Sequence, residues 1–425
     1  MNIEQLHHIF LNCSGICTDT RKLEAGQLFF ALKGDNFNGN TFAKKALEQG
    51  AAYAIIDEKE YHINQKIILV TDVLNTLQEL ATYHRNYLNI PIIGLTGSNG
   101  KTTTKELIAS VLLQKYVVTA TKGNLNNHIG VPLTLLQMNK DTQMGIVEMG
   151  ANHQKEIAAL CTIAQPNFGY ITNFGKAHLK GFGGIEGVIE GKSELYDHLK
   201  KSNGLAFVNT EDHIQLVRTQ KMRTFRFMGK NSDCFISFKE ANPYVRMTYH
   251  RKELKSQIIG AYNASNIAAA IAIGSYFKLS KDQIKKGIES YHPQNNRSQI
   301  IKKDNLTIIL DAYNANPTSM QAALHNLKSQ ESANRIVFLG DMFEVGETSE
   351  LEHQTIAELT KTLGFDQVFL IGAHFYNSCS PNSITRLFPD FDSFKDSFTG
   401  IGLEDTVVLI KGSRGMAMER ILDLF

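Results

Sequence analysis

The sequence predicts an α/β protein of three domains. A small N-terminal α/β unit covers 1–89, and a central phosphate-loop domain (90–297) is built on a parallel sheet with antiparallel additions. A C-terminal doubly wound, Rossmann-like domain covers 298–425. Three observations support this. The 425 residues exceed what one hydrophobic core usually serves. Strand-like and helix-like runs alternate along most of the chain, the pattern of a parallel sheet covered by helices. One junction, Gly97-Ser98-Asn99-Gly100-Lys101-Thr102-Thr103-Thr104, is a glycine-rich turn from a short apolar run into a helix-like stretch.

The elements follow in order. Leu28–Leu32 and Ala52–Ile56 are strand-like and Thr41–Gln49 is helical, which makes the first unit α/β. Pro91 punctuates the chain before the run Ile92–Thr96, so a boundary is expected near residue 90. Gly145–Glu148 and Phe168–Thr172 are expected as buried strands, Lys155–Ala164 and Ile185–Lys200 as helices. From Leu205 to Ile259 the period shortens to two, as in Cys234–Phe238 and Tyr244–Tyr249, which predicts antiparallel strands added to the central sheet. Periodicity lapses over 291–297, the second expected boundary. Beyond it Thr307–Leu310, Arg335–Leu339, Gln367–Ile371 and Thr406–Ile410 are strands with helical segments between them.

Strand, glycine turn and helix together make a phosphate-binding loop. Backbone N–H groups and the helix's positive end point at phosphates, and Lys101 reaches the terminal phosphoryl group. The strict GxxxxGK[ST] form would put a glycine where this chain has Leu95; its glycines fall at Gly94, Gly97 and Gly100. A chance Gly-Lys-Thr among 32 glycines would lack this register of strand, loop and helix.

Working residues in open parallel sheets gather beyond the carboxyl ends of strands. Glu148 ends one strand beside the phosphate loop, where a carboxylate holds magnesium in many nucleotide enzymes, with Thr102 as the other protein oxygen. His178 follows the next strand, and alone it is a surface residue as readily as a ligand. Lys192 alone is a solvated helix lysine. Asp311-Ala312-Tyr313-Asn314-Ala315-Asn316-Pro317 is denser: capping of the next helix explains one asparagine, not Asp, Tyr and two Asn together. Further polar turns at 339–346 and 410–415 end neighbouring strands, so two domains are expected to face one cleft. Asn263 and Asn266, three apart, share a helix face where amides could read a base edge; N-capping explains Asn263 equally well.

Composition narrows the classes. Lys+Arg of 44 against Asp+Glu of 42 lacks the basic excess of a protein whose main partner is nucleic acid. Five scattered cysteines hold no CxxC pair, and the Cys13–Cys17 spacing is incidental, which fits a reduced compartment. Met1–Gln5 has no basic segment followed by an apolar stretch, and no apolar run is long enough to span a bilayer. A cytoplasmic protein with no membrane partner is expected.

Taken together, these segments resemble the Mur ligases, ATP-dependent amino-acid ligases of peptidoglycan precursor synthesis, over essentially the whole chain. Within that family Asp311–Pro317, Leu339–Gly346 and Thr18-Asp19-Thr20-Arg21 leading to Leu28–Gly34 are similar to the members that add D-alanyl-D-alanine to UDP-N-acetylmuramoyl-tripeptide. Threonines replace the usual serines around Asp19 with the hydroxyls kept. The resemblance implies ATP bound by Gly97, Ser98, Asn99, Gly100, Lys101, Thr102 and Thr103, with Asn263, Asn266, Arg297 and Asp311 on adenine, ribose or phosphate. It implies two magnesium ions, one at Thr102 and Glu148, the other at His178 and at Lys192 carbamylated by carbon dioxide; Lys101, Glu148, His178 and Lys192 are then the catalytic set. Asp19, Arg21, Lys33, Asn126 and Asn127, within the segment 121–128, would meet the UDP-sugar substrate. Tyr313, Asn314 and Asn316 are the remaining substrate-binding candidates. A monomer without nucleic-acid partner is implied. A nucleotide switch or motor from another class would not need Lys192, His178 and the Asp311 turn around one cleft.

Overall fold

The computed structural model describes residues 1–294, 296–303, 305–400 and 405–425. Within the expected boundary at 291–297, Asn295 lies outside the described residues. Among the described residues no helix is long and apolar enough to cross a membrane.

The N-terminal unit is a four-stranded parallel sheet in the spatial order Ile16–Cys17, Leu28–Phe30, Tyr53–Ile56, Ile67–Leu69. The long helix Val73–Leu88 follows it, capped by the Asp72 side chain on the Asn75 N–H and ended by Asn89 in the left-handed region (φ 47°). Its buried face (Leu77, Leu80, Ala81) belongs to one apolar cluster with Val131, Leu160, Val147 and Ile171 of the central domain. Arg85 adds polar ties, donating to the Gln165 carbonyl at 3.1 Å and to Asn167 Oδ1 at 2.8 Å. The boundary at residue 90 is a change of element inside a continuous core.

The central sheet has six parallel strands, ordered Arg223–Phe227, Leu205–Asn209, Phe168–Ile171, Ile92–Thr96, Met144–Glu148, Val118–Ala120. The phosphate-loop strand is buried along its whole length, as a strand covered on both faces must be. Chain order reverses around it, so the crevice beyond its carboxyl end opens between Glu148 on one side and Thr172 on the other. The region 205–259 departs from expectation. Leu205–Asn209 and Arg223–Phe227 continue the parallel sheet, and the antiparallel strands Ile236–Ala241, Tyr244–Tyr249 and Lys252–Ile259 form their own three-stranded sheet, not additions to the central one. Among the described residues an isolated bridge joins Phe227 to Cys234, two residues before the three-stranded sheet begins. Alternating burial along Tyr244–Tyr249 explains both the period-two signal and the separation, since only one face meets the core.

In the C-terminal sheet Gln299–Lys303 runs antiparallel to Leu306–Asp311; Thr406–Lys411, Asn334–Gly340, Gln367–Ile371 and Thr385–Phe388 then follow in parallel. The last strand in sequence inserts between Leu306–Asp311 and Asn334–Gly340, which sets Asp311 opposite Lys411. Strand ends of the two large sheets face each other. The C-terminal domain docks on the segment after Ile171: Lys176 Nζ lies 2.7 Å from Glu352, the Lys176 N–H donates to Thr318 Oγ1 at 3.1 Å, and His178 Nδ1 meets Glu344.

Candidate active site

A cleft of about 710 Å³ opens between the docked domains, lined by the phosphate loop, Glu148, His178, Asn266, Arg297 and the Asp311–Asn316 turn. Two of its glycines are obligatory. At Gly97 (φ +138°) a Cβ would fall 2.0 Å from Thr172 Oγ1, and at Gly100 (φ +77°) it would fall 2.8 Å from the Asn266 amide. Leu95, where the strict pattern asks for glycine, is a fully buried core residue of the strand. Gly100 leaves the helix Lys101–Leu112 without a side-chain cap, so the first-turn N–H groups stay available to an anion. Ser98 Oγ and Asn99 Nδ2 are buried in the loop without partners.

Lys101 folds back on its own loop, donating to the Gly97 carbonyl at 2.8 Å and the Ser98 carbonyl at 3.3 Å. Burial pulls its pKa down, Glu148 pushes against that, and Arg297 adds to the lowering. Thr102 Oγ1 donates to Glu148 Oε2 at 3.0 Å, and Asn126 Nδ2 to Glu148 Oε1 at 2.9 Å. Lys105 Nζ, buried one turn below Lys101, stands 3.6 Å from Glu148 Oε2, and the Glu148 N–H donates to Thr121 Oγ1. A buried carboxylate so fixed beside a threonine hydroxyl is an oxygen donor set suited to a hard cation that keeps its remaining positions for water or phosphate. Among the described residues no group of three or more His, Cys, Asp or Glu side chains could hold a metal.

Lys192 is not the solvated helix lysine that its sequence alone suggests. It is 1% exposed, with Nζ 3.1 Å from the Ala151 carbonyl and 4.8 Å from the centre of the Phe182 ring. Burial drives its pKa far below the ordinary lysine value, helped by the charge of Lys101 and opposed by Glu156 and Glu194. The amine is therefore held toward its neutral, nucleophilic form. Gly191 makes room for the ring, since a Cβ there would lie 2.5 Å from Phe182 Cε1. His178, left-handed at φ 51°, has its pKa lowered by burial against the pull of Glu344.

Asn263 occupies the residue before the helix Ala264–Tyr276 but makes no capping bond. Its Nδ2 donates to the Ile259 carbonyl and its Oδ1 accepts from Asn266 Nδ2 at 2.8 Å, a buried pair at the edge of the cleft. Arg297 stacks its guanidinium 3.5 Å from the Tyr313 ring centre. Asp311 accepts from the Ser298 N–H at 3.1 Å and is 2.5 Å from Lys411 Nζ. Asn314 receives its neighbour's N–H, Asn127 Oδ1 accepts the N–H groups of Ile129 and Gly130, and Asn316 caps Pro317–Lys328.

Not every predicted residue reaches the cleft wall. Lys192 lies beneath it and Gly97 inside the loop. Asp19, Arg21 and Lys33 belong to the N-terminal unit, where Arg21 pairs with Asp19 and Lys33 Nζ lies 3.0 Å from Asp57. The 339–346 turn splits in role. The Asp341 carboxylate faces inward to the N–H groups of His374 and Phe375, while Glu344 reaches His178 of the cleft wall. Sequence reasoning missed Lys105, and it placed Glu344 and Lys411 in polar turns at the cleft without their partners His178 and Asp311. The four-residue step from Lys101 on one helix face was a usable signal for Lys105.

Three family descriptions match this geometry: "Mur ligase family, catalytic domain" over 12–87, "Mur ligase middle domain" over 95–274 and "Mur ligase, glutamate ligase domain" over 296–414. Two curated relatives are UDP-N-acetylmuramoyl-tripeptide--D-alanyl-D-alanine ligases. That of Bacillus subtilis is 35% identical, covering 96% of this chain and 92% of the relative; that of Escherichia coli is 32% identical, covering 97% and 93%. A crystal structure of MurF from Acinetobacter baumannii superposes with TM-score 0.88 at 30% identity, over 99% of this chain and 98% of that one. MurF from Thermotoga maritima in complex with ADP gives 0.85 at 26% identity, over 98% and 97%.

Proposed function

The chain belongs to the Mur ligase family, and from that premise we propose how its cleft works. It is an ATP-dependent ligase that joins D-alanyl-D-alanine to UDP-N-acetylmuramoyl-tripeptide, releasing ADP and phosphate. The observation that carries the assignment of roles is the cleft itself: a phosphate loop on one wall, a polar turn of a second domain on the other, and direct contacts between them.

A carboxylate is a poor electrophile, so it is first converted to an acyl phosphate with the γ-phosphoryl group of ATP. Positioning and charge neutralisation dominate that step. Lys101 leaves its loop carbonyls for the transferred group, and the uncapped helix start holds the phosphates. Asn263, Asn266, Arg297 and Asp311 seat the rest of the nucleotide along the cleft wall. Thr102 and Glu148 would hold magnesium, which would supply charge stabilisation for phosphoryl transfer.

We assign the second ion to His178 and a carbamylated Lys192. Burial favours the uncharged amine of Lys192, the form that attacks carbon dioxide, and the product carries oxygen atoms that an unmodified lysine lacks. Next the dipeptide amine attacks the acyl carbon, the bond to phosphate breaks, and phosphate leaves. Docking of the C-terminal domain through Lys176 and His178 keeps water from the acyl phosphate meanwhile. Asp19 and Arg21 are free to exchange their exposed mutual pair, and Lys33 its pair with Asp57, for the UDP-sugar; use of ATP and a UDP-linked substrate supports a cytoplasmic reaction.

Phosphate release from ATP and magnesium, with tripeptide and D-alanyl-D-alanine added singly and together, tests the reading. Release is expected to require both; release independent of either, or promoted by nucleic acid, excludes it. Lys192→Ala is expected to be inactive with or without bicarbonate. Full activity of that variant excludes the carbamate.

A further inference from the structure

Two amides from opposite walls meet at the phosphate loop: Asn316 Nδ2 donates to Asn99 Oδ1 at 2.7 Å, across 217 residues of sequence. Each is fixed by anchors of its own. The Asn99 N–H donates to Asn173 Oδ1, and its carbonyl accepts from Thr172 Oγ1 at 2.6 Å and Asn173 Nδ2 at 2.9 Å, so the end of the neighbouring strand aims this side chain. Asn316 is held by a capping box, its Oδ1 accepting the Ser319 N–H at 2.9 Å while its own N–H donates to Ser319 Oγ. Both amide atoms of Asn316 are engaged, one in its helix and one across the cleft. Two rigid elements, one in each domain, are thereby brought into register at the residue before Gly100.

We propose that Asn316 is a positioning residue for amide formation, its bridge to Asn99 setting the C-terminal domain over the phosphate loop so that the dipeptide amine reaches the acyl phosphate before water does. This rests on the ligase reading above. In productive attack a C–N bond forms, the acyl C–O bond to phosphate breaks, and the nitrogen gives up a proton to solvent. In unproductive attack water adds to the same carbon, returning the carboxylate and phosphate. ATP is consumed either way, so the partition is read as phosphate released per amide formed. Small misplacement of reacting groups costs orders of magnitude in rate, whereas water needs no placement.

The cap and the bridge are separable. Asn316→Ser keeps a capping oxygen but is too short to cross the cleft. Asn316→Asp keeps both cap and reach, and Asn99 Nδ2, buried without a partner, can turn to donate to it. Purified full-length protein with ATP, magnesium, UDP-N-acetylmuramoyl-tripeptide and D-alanyl-D-alanine is assayed for both products, with melting temperature alongside. Wild type is expected to release one phosphate per amide. Asn316→Ser should release about threefold to tenfold more, the scale of one lost hydrogen bond in the partition, at a nearly unchanged melting temperature. Asn316→Asp should return close to the wild-type ratio, which a mere loss of folded protein would not do. A stoichiometric Asn316→Ser, or an Asn316→Asp as uncoupled as Asn316→Ser, overturns the bridge while leaving the ligase intact. Wild type that releases phosphate without forming amide brings down the ligase reading, and this proposal with it.

Discussion

The two large sheets end at the same cleft but treat charge differently. At the central sheet Lys101 and Lys192 form no ion pair among the described residues; their amines rest on carbonyl oxygens and an aromatic ring. At the C-terminal sheet charge is cancelled locally. Lys411 is bound to Asp311, and Asp341 is satisfied by the N–H groups of His374 and Phe375. Nearby His353 accepts the Met342 N–H at Nε2 and is 2.7 Å from the Ser349 carbonyl at Nδ1, the pattern of a neutral ring; burial lowers its pKa accordingly. One topology thus serves two ends: Lys101 waits without a carboxylate partner where reacting phosphates arrive, and paired groups shape the opposite wall.

The largest expected effect sharpens that contrast. Lys101→Met should lower kcat by about two to three orders of magnitude, the scale for removing one preorganised electrostatic group, with little change in melting temperature. Lys411→Met should do the reverse in emphasis, costing about 3 kcal/mol of stability in denaturant titration because Asp311 is left uncompensated. Were Lys101→Met the more destabilising of the two, the division between reactive and structural charge would not hold.

A smaller effect concerns His7 and His84, buried where the N-terminal helix meets Val73–Leu88. His7 Nε2 is 2.9 Å from His84 Nδ1, and His84 Nε2 is 2.9 Å from the Met138 carbonyl, with the Tyr83 and Tyr87 rings alongside. Burial, reinforced by His84 and His8, brings the His7 pKa down to about 4. Between the ordinary histidine value and that one the unfolded chain binds more protons than the folded, so stability falls as pH drops from about 6.5 towards 4. Thermal melts of His7→Phe should show a flatter acid limb; an identical slope would separate this pair from the acid sensitivity. The smallest effect is at Arg21. Its pair with Asp19 is exposed, so Arg21→Ala should leave the melting temperature unchanged while raising KM for the UDP-linked substrate.

What was legible in the sequence was local. Gly97, Gly100, Lys101 and the strand before them announce themselves by spacing, as do the polar strand ends at Glu148 and Asp311. Partnerships created by register were not. Asp311 and Lys411 become neighbours only because the last strand inserts beside Leu306–Asp311, and nothing near either residue signals it. Asn316 read as a ligand or a cap; it caps and also crosses to Asn99. Lys192 shows how a neighbour hides the answer: Gly191 lets Phe182 cover the amine, and the triplet Glu-Gly-Lys carries no apolar sign of burial. The short-period stretch after Ile236 showed antiparallel strands correctly but not that they pair only with each other.

The shared core under helix Val73–Leu88 bears on how the chain comes apart. Its apolar cluster runs from Leu6 and Phe10 through Leu80 to Leu160 and Val208 without a break, whereas the C-terminal clusters take in only Ile259 among buried residues before the second boundary. Three domains by sequence are therefore two cooperative blocks by packing. Amide exchange should release the C-terminal block alone, and protect the UDP-sugar and phosphate-loop regions together as one foldon.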